Sequence, residues 1–233
     1  LRPYFQTLEA QNGKEGLFIA LKKIPDLIIS DVMMPEMDGF ELCKKIKENE
    51  LTSHIPVILL TAKADEESQL EGIRSGADDF ILKPFKTNKL LARIEKLIEL
   101  RSQLRIRYSN RTSFSPKDIA ITSTDERFLK KIQEIVDNDL SDSDFTVDEF
   151  SKKLGMSRMQ LHRKLTALTG LSTTAYIRDQ RLRMAIQRLE KSDDTISEIA
   201  YAVGFSSPSY FIKTFKETYS MTPSEYQESK AKK

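Results

Sequence analysis

One cysteine, Cys43, is all that the 233 residues contain. That excludes a disulfide framework and a multi-cysteine zinc site, and it suits a reducing cytoplasm. No apolar run approaches the roughly 18 residues of a membrane span, so the chain reads as soluble, with no membrane contact by this region. Neither an initiator methionine nor a signal or transit sequence opens it, and residues 1–5 look like the last turn of a helix, so it reads as a fragment. Charge of one sign is scarce as well: the formal net charge is +2. That small value hides a gradient, with 14 basic against 17 acidic residues up to position 100 and 23 basic against 18 acidic residues beyond it. The excess in the second part points to an anionic partner there.

What is present suffices for two domains, and a hydrophobic share of 39% can build their cores. Up to about Leu100, strand and helix signals alternate, which argues for βαβ units around a parallel sheet. Strands are expected at Thr7–Gln11, Asp26–Ser30, Val57–Thr61 and Phe80–Leu82. Helices are expected at Lys14–Lys23, Gly39–Glu48 and Glu66–Ser75. Leu90, Leu91, Ile94, Leu97, Ile98 and Leu104 then recur at helical spacing, predicting a last helix over Thr87–Ile106. Cys43 shares a helix face with Leu42 and Ile46 and reads as a packing residue, and His54 reads as a solvated loop residue.

The richest segment is L-I-I-S-D-V-M-M-P-E-M-D-G, residues 27–39. It sets Asp31 at the carboxyl end of a parallel strand, where open α/β sheets build their ligand sites. An Asp before a turn also fits a cap or an Asx-turn. Two further strands weigh against that simpler reading, because V-I-L-L-T-A ends on Thr61 and F-I-L-K-P-F on Lys83. A carboxylate nucleophile, a hydroxyl donor and a cation are what an aspartyl phosphate needs, since the transferred oxygens carry charge that must be neutralised.

The blocks D-V-M-M-P-E-M-D-G, L-L-T-A and K-P-F resemble the receiver domain of bacterial two-component response regulators, over residues 1 to about 106. The resemblance implies a flavodoxin-like α/β fold in which Asp31 accepts phosphate from a histidine kinase. It also implies that Thr61 binds a phosphoryl oxygen, that Lys83 pairs with the phosphoryl group, and that Phe80 is the switch aromatic. Lys83–Pro84 would be cis. Mg²⁺ in the intact parent would be held by Asp31 and the backbone carbonyl of Met33 together with an acidic pair at the end of the first strand. No such pair precedes Asp31 here, and Glu9 stands alone. The first strand is therefore expected to be lacking, and Mg²⁺ is not expected to bind this fragment.

Residues 107–123 are rich in Ser, Thr, Arg and Pro without a clear period, and read as a linker with one short extended piece at Ile119–Ile121. Beyond them no strand is expected. Capping boxes, in which a Ser or Thr side chain and a Glu or Gln three residues on exchange hydrogen bonds with the backbone, mark helix starts. They fall at Ser123/Glu126, Thr146/Glu149, Ser157/Gln160, Thr195/Glu198 and Thr222/Glu225, and Ser207–Pro208 adds another start. Six short or medium helices and a longer one at Thr173–Lys191 follow from these. T-V-D-E-F-S-K-K-L-G-M-S (146–157) repeats as T-I-S-E-I-A-Y-A-V-G-F-S (195–206), each followed by a second helix, which is the pattern of two helix-turn-helix units.

The second helix of such a unit enters the major groove. In Arg158–Thr169 the stripe Leu161, Leu165, Leu168 faces inward and leaves Arg158, Met159, His162 and Arg163 outward. In Pro208–Tyr219 the residues Phe211, Phe215 and Tyr219 face inward and leave Ser209, Tyr210, Lys213 and Lys216 to face double-stranded DNA. Arg163 suits bidentate contact with guanine, Met159 and Tyr210 suit thymine methyls, and the serine and lysines equally suit phosphates. Any of these positions is also compatible with plain solvated helix surface. On the long helix, Arg178, Arg181, Arg183 and Arg188 are expected to be solvated or paired with Asp179 and Glu190.

Residues 127–228, with I-A-Y-A-V-G-F-S-S-P-S-Y-F-I-K-T-F-K and M-T-P-S-E-Y, resemble the AraC/XylS-type DNA-binding domain. The expected architecture is thus an incomplete receiver (1–106), a linker (107–123), an all-α domain with two helix-turn-helix units (124–229) and a tail (230–233). The expected function is a sequence-specific transcription regulator under aspartyl phosphorylation, a phosphoryl acceptor rather than an enzyme, homodimeric when activated. Two alternatives stand beside it. One is the C-terminal output part of a hybrid in which the same polypeptide carries the histidine kinase. The other is a phosphate-independent DNA-binding protein whose receiver is a scaffold.

Overall fold

Apolar residues two apart in V-I-L-L-T divide between two faces of a strand, and the fold is organised around that division. The computed structural model describes residues 1–62, 66–109, 120 and 122–231. They form two compact units, the first holding the described residues up to 109 with 120, 122–129 and 167–170, the second the remainder. In chain order the first unit contains α1 (Gly13–Lys23), β1 (Ile28–Asp31), α2 (Gly39–Glu48), β2 (Val57–Thr61), α3 (Glu66–Ser75), β3 (Asp79–Leu82) and α4 (Thr87–Ser109).

The three strands form one parallel sheet in the order β1-β2-β3. Val57 and Leu59 turn to one face and pack with Ala20 of α1 and with Leu42, Cys43 and Ile46 of α2. Ile58 and Ile81 turn to the other and pack with Leu90 and Ile94 of α4. A parallel sheet covered on both faces buries near-continuous apolar strands, and each fully buried Ile or Leu contributes about 1.5–3 kcal/mol. Cys43 is wholly buried, as expected, and burial pushes its thiol up from the ordinary value. Beneath the sheet's entry edge Lys47 donates to the Ile55 carbonyl at 2.8 Å and to Asp78 at 2.5 Å, and Asp78 also accepts from the Val57 amide. That ion pair ties α2 to the starts of β2 and β3.

Several expectations shift. Thr7–Gln11 is no strand: residues 6–10 run without regular structure, because β1 pairs only with β2 and a strand without a ladder partner leaves its polar groups unpaired. β1 begins two residues later than expected and includes Asp31. Residues 1–5 do form a single turn, in which the Tyr4 and Phe5 amides donate to the Leu1 carbonyl. α4 runs three residues beyond Ile106, and the proposed extended piece at 119–121 falls largely outside the described residues. His54 is buried rather than solvated. Its loop is closed down by Ser53, which donates to Asp125 at 2.7 Å within the first unit.

Past Thr122 the described elements are all helical: α5 (Ser123–Asp139), α6 (Val147–Lys153), α7 (Arg158–Thr169), α8 (Thr173–Lys191), α9 (Ile196–Ala202), α10 (Pro208–Tyr219) and α11 (Pro223–Ala231). Both repeat copies open on complete capping boxes, Thr146 with Glu149 and Thr195 with Glu198. Ser157/Gln160 and Thr222/Glu225 exchange the same reciprocal bonds. The fifth box is displaced by one residue: Thr122 and Asp125, not Ser123 and Glu126, exchange them at the start of α5. Between the paired helices the chain turns at Gly155 and Gly204, with φ of +66° and +86°. At Gly204 a Cβ would also lie 2.3 Å from the Leu140 carbonyl oxygen, so both conformation and space demand glycine there.

Leu182, Ala185, Ile186 and Leu189 of α8 pack with Ile199, Ala200, Val203, Phe205, Phe211 and Phe215 into one core. Tyr219 is half-buried against it rather than fully inside. The α8 arginines are largely committed within the unit. Arg181 donates to the carbonyls of Leu140 and Asp142, and Arg183 pairs with Asp179 at 2.7 Å. Arg188 faces Asp194 at 3.6 Å rather than Glu190. Glu190 instead accepts from the Tyr226 hydroxyl and meets Lys230, bonds that hold its carboxyl below the ordinary range.

Candidate functional sites

Parallel register brings the three strand ends together. Asp31 is aligned with Leu60, and Thr61 with Leu82, so Asp31, Thr61 and Lys83 stand at the carboxyl ends of neighbouring strands. The Lys83 amide donates to the Thr61 carbonyl at 2.7 Å. The Lys83 ammonium is ion-paired with the Asp31 carboxylate. Their side chains are 38% and 37% exposed, so water screens the pair and its worth to stability is about 0–1 kcal/mol. An exposed, oppositely charged pair at the strand ends is accessible to an incoming anion.

The loop after β1 is built around Asp31. Its other carboxylate oxygen accepts from the Met33 amide at 3.3 Å, while the Met33 side chain is 75% exposed. Asp38 then caps α2 by accepting from the Glu41 amide at 2.8 Å, and the Gly39 amide closes back on the Val32 carbonyl at 2.9 Å. Lys83–Pro84 is a cis peptide. Phe80 is half-buried on β3, its ring against Gly72 of α3, where a Cβ would meet the ring at 2.0 Å.

Mg²⁺ requires near-octahedral oxygen ligation. Among the described residues no group of three or more His, Cys, Asp or Glu side chains gathers where a metal would be held. The Asp31 carboxylate is itself engaged by Lys83 and the Met33 amide. One carboxylate and one backbone carbonyl do not by themselves fit a Mg²⁺ site.

α7, whose last residues from Ala167 count with the first unit, buries Leu161, Leu165 and Leu168 and exposes Arg158, Met159 and His162, with Arg163 half-buried. α10 buries Phe211 and Phe215 and exposes Ser209, Tyr210, Lys213 and Lys216. Lys213 stands 4.0 Å from Glu217, a weak surface pairing that leaves it available to a phosphate. Arg158 is different: it is ion-paired with Asp148 of α6. Sequence reasoning missed Asp148, although the repeat carries a signal, since the equivalent position in the second copy is Ser197.

Comparison with known proteins finds two family matches along the chain. The response regulator receiver domain matches residues 2–95 and a helix-turn-helix domain matches residues 150–229. The chain thus carries a response regulator receiver domain followed by an AraC-type helix-turn-helix domain. "Histidine kinase P4" of Formosa agariphila is 45% identical over 227 residues, which cover 97% of this chain and 17% of that protein. The phosphate regulon transcriptional regulatory protein PhoB of Pseudomonas aeruginosa is 40% identical over 94 residues, covering 40% of this chain and 41% of PhoB. The chain thus spans less than half the length of either relative. Among solved structures, the C-terminal domain of the response regulator yesN from Fusobacterium nucleatum is 32% identical with a TM-score of 0.41, covering 43% of this chain and 98% of that one. No helix among the described residues is long and apolar enough to cross a membrane.

Proposed function

We propose that this chain is the receiver and output portion of a cytoplasmic transcription regulator, in which phosphorylation of Asp31 by a histidine kinase controls sequence-specific binding to double-stranded DNA. The observation that carries the reading is the set of Asp31, Thr61 and Lys83 at the ends of three adjacent parallel strands, in one chain with two helix-turn-helix units. An Asp31 carboxylate oxygen attacks the phosphorus of a phosphohistidine, a P–O bond forms as the P–N bond breaks, and the phosphoryl group remains as a mixed anhydride. Lys83, now paired with Asp31, shifts its charge to a phosphoryl oxygen, and the Thr61 hydroxyl donates to another. Movement of Thr61 lets the Phe80 ring turn inward, biasing a two-state receiver toward a homodimer that places paired reading heads on DNA. This chain supplies the acceptor; the catalytic phosphotransfer machinery belongs to the kinase.

On DNA, α7 and α10 each lie in the major groove. Arg163 reads a guanine, Met159 and Tyr210 pack on thymine methyls, and Arg158, His162, Ser209, Lys213 and Lys216 position the helices. The test uses the full-length parent with a small phosphodonor and Mg²⁺. Wild type should gain acid-labile phosphate that Asp31→Asn abolishes, with a matching change in dimerisation or DNA affinity. Phosphate at Asp31 without either change would favour the scaffold reading.

A second reading has its own observation. The match of nearly the whole chain to 17% of a protein named a histidine kinase supports the output portion of a hybrid, with kinase and receiver in one polypeptide. An open reading frame upstream that encodes a kinase domain would decide for the hybrid.

A further inference from the structure

The two helix-turn-helix units repeat with an offset that aligns Thr146 with Thr195, Glu149 with Glu198 and Gly155 with Gly204. Among the positions at which they differ is one coupled pair. Asp148 and Arg158 of the first unit correspond to Ser197 and Ser207 of the second. In the structure Asp148 and Arg158 face each other across the turn, with Nε meeting one carboxylate oxygen and Nη2 the other. That is the bidentate fork by which arginine and carboxylate recognise each other best. Both side chains remain more than half exposed. An acid on a DNA-facing surface repels phosphates, so its place beside the first residue of the reading helix calls for a reason.

We propose that Asp148 is a positioning residue for the first reading head. Its carboxylate holds the Arg158 fork, so Arg158 meets DNA from a fixed place through its remaining N–H groups and does not roam as a phosphate-seeking cation. The second head has hydroxyls at both positions and no such restraint. The first head therefore gives up general affinity for discrimination between sequences. This rests on the DNA-binding reading given above.

The test measures affinity against salt for the whole chain with Asp148→Asn, Arg158→Gln and both together. The probes are a duplex that the wild-type chain selects from a randomised pool and a random duplex of the same length. Asp148→Asn should tighten the random duplex about threefold and steepen the plot of log K against log salt by about 0.9, the increment for one added phosphate contact. The ratio between selected and random duplexes should fall. With Arg158→Gln present, Asp148→Asn should leave the slope unchanged. Equal effects of Asp148→Asn with and without Arg158→Gln, while the wild type still selects a duplex, would overturn the coupling alone. A wild type that binds no duplex would overturn the DNA-binding reading and this proposal with it. Coincident thermal melting of the variants confirms that the differences arise at the DNA surface.

Discussion

A Cβ placed on Gly39 would lie 2.2 Å from the carbonyl oxygen of Asp31. The first helical residue of α2 is thereby pressed against the backbone that carries the proposed phosphoryl acceptor, and its amide is bonded to the Val32 carbonyl. Gly39→Ala should destabilise the first unit by about 1–3 kcal/mol, the usual cost of overpacking. A lower denaturant midpoint with an unchanged m-value is the expected readout. An unaltered midpoint would mean that the loop yields without cost.

The Asp31–Lys83 ion pair joins two half-exposed side chains. Lys83→Met should change stability by no more than about 1 kcal/mol, and salt should shrink the difference. The same variant should lose the response to phosphodonor in the full-length parent. A loss of stability several times larger would recast the pair as structural.

Arg163 and Lys216 make opposite predictions on DNA. Arg163→Ala should weaken binding and relax preference at one base position by about 1–3 kcal/mol, whereas Lys216→Ala should weaken all duplexes alike and make the salt slope shallower by about 0.9. Competition binding against single-base variants of a selected duplex separates the two. Uniform loss from Arg163→Ala would assign it to phosphate.

Burial, then the nearby Asp179 carboxylate, pushes the Tyr219 phenol from 10.0 up to about 12. A folded-state value raised above the unfolded one contributes stability that is complete below the unfolded value and is lost as pH rises through the folded value. The second unit should therefore lose stability between about pH 10 and pH 12, and Tyr219→Phe should flatten the decline. Thermal midpoints measured across that interval for both proteins check it, and parallel curves would clear Tyr219 of any part.

Elements whose signals are local were legible from sequence. α2, β2, α3, α7, α8 and α10 begin and end at the expected residues, because caps, turn glycines and apolar spacing act within a few positions. The strand-end positions of Asp31, Thr61 and Lys83 were legible for a related reason, since each closes a short apolar strand. What depended on distant partners was not. Thr7–Gln11 has strand-like residues but no ladder to join, and His54 lies buried in a loop whose Ser53 donates to Asp125, some seventy positions later. Arg188 had Glu190, Asp193 and Asp194 close by along the chain, and only the folded turn after α8 decides for Asp194. At the start of α5 two overlapping boxes compete, and Thr122 with Asp125 prevails.

β1 has one neighbour. Along its other side no described strand receives the amides and carbonyls of Ile28–Asp31, and a strand open along one edge is a template for another. In concentrated solution this polypeptide should self-associate there, edge to edge, with Asp31 as the last residue of the sticky margin. Assays of this polypeptide would then meet turbidity before chemistry. Light scattering at rising concentration is accordingly the first quality control for any preparation in which Asp31 is to be assayed.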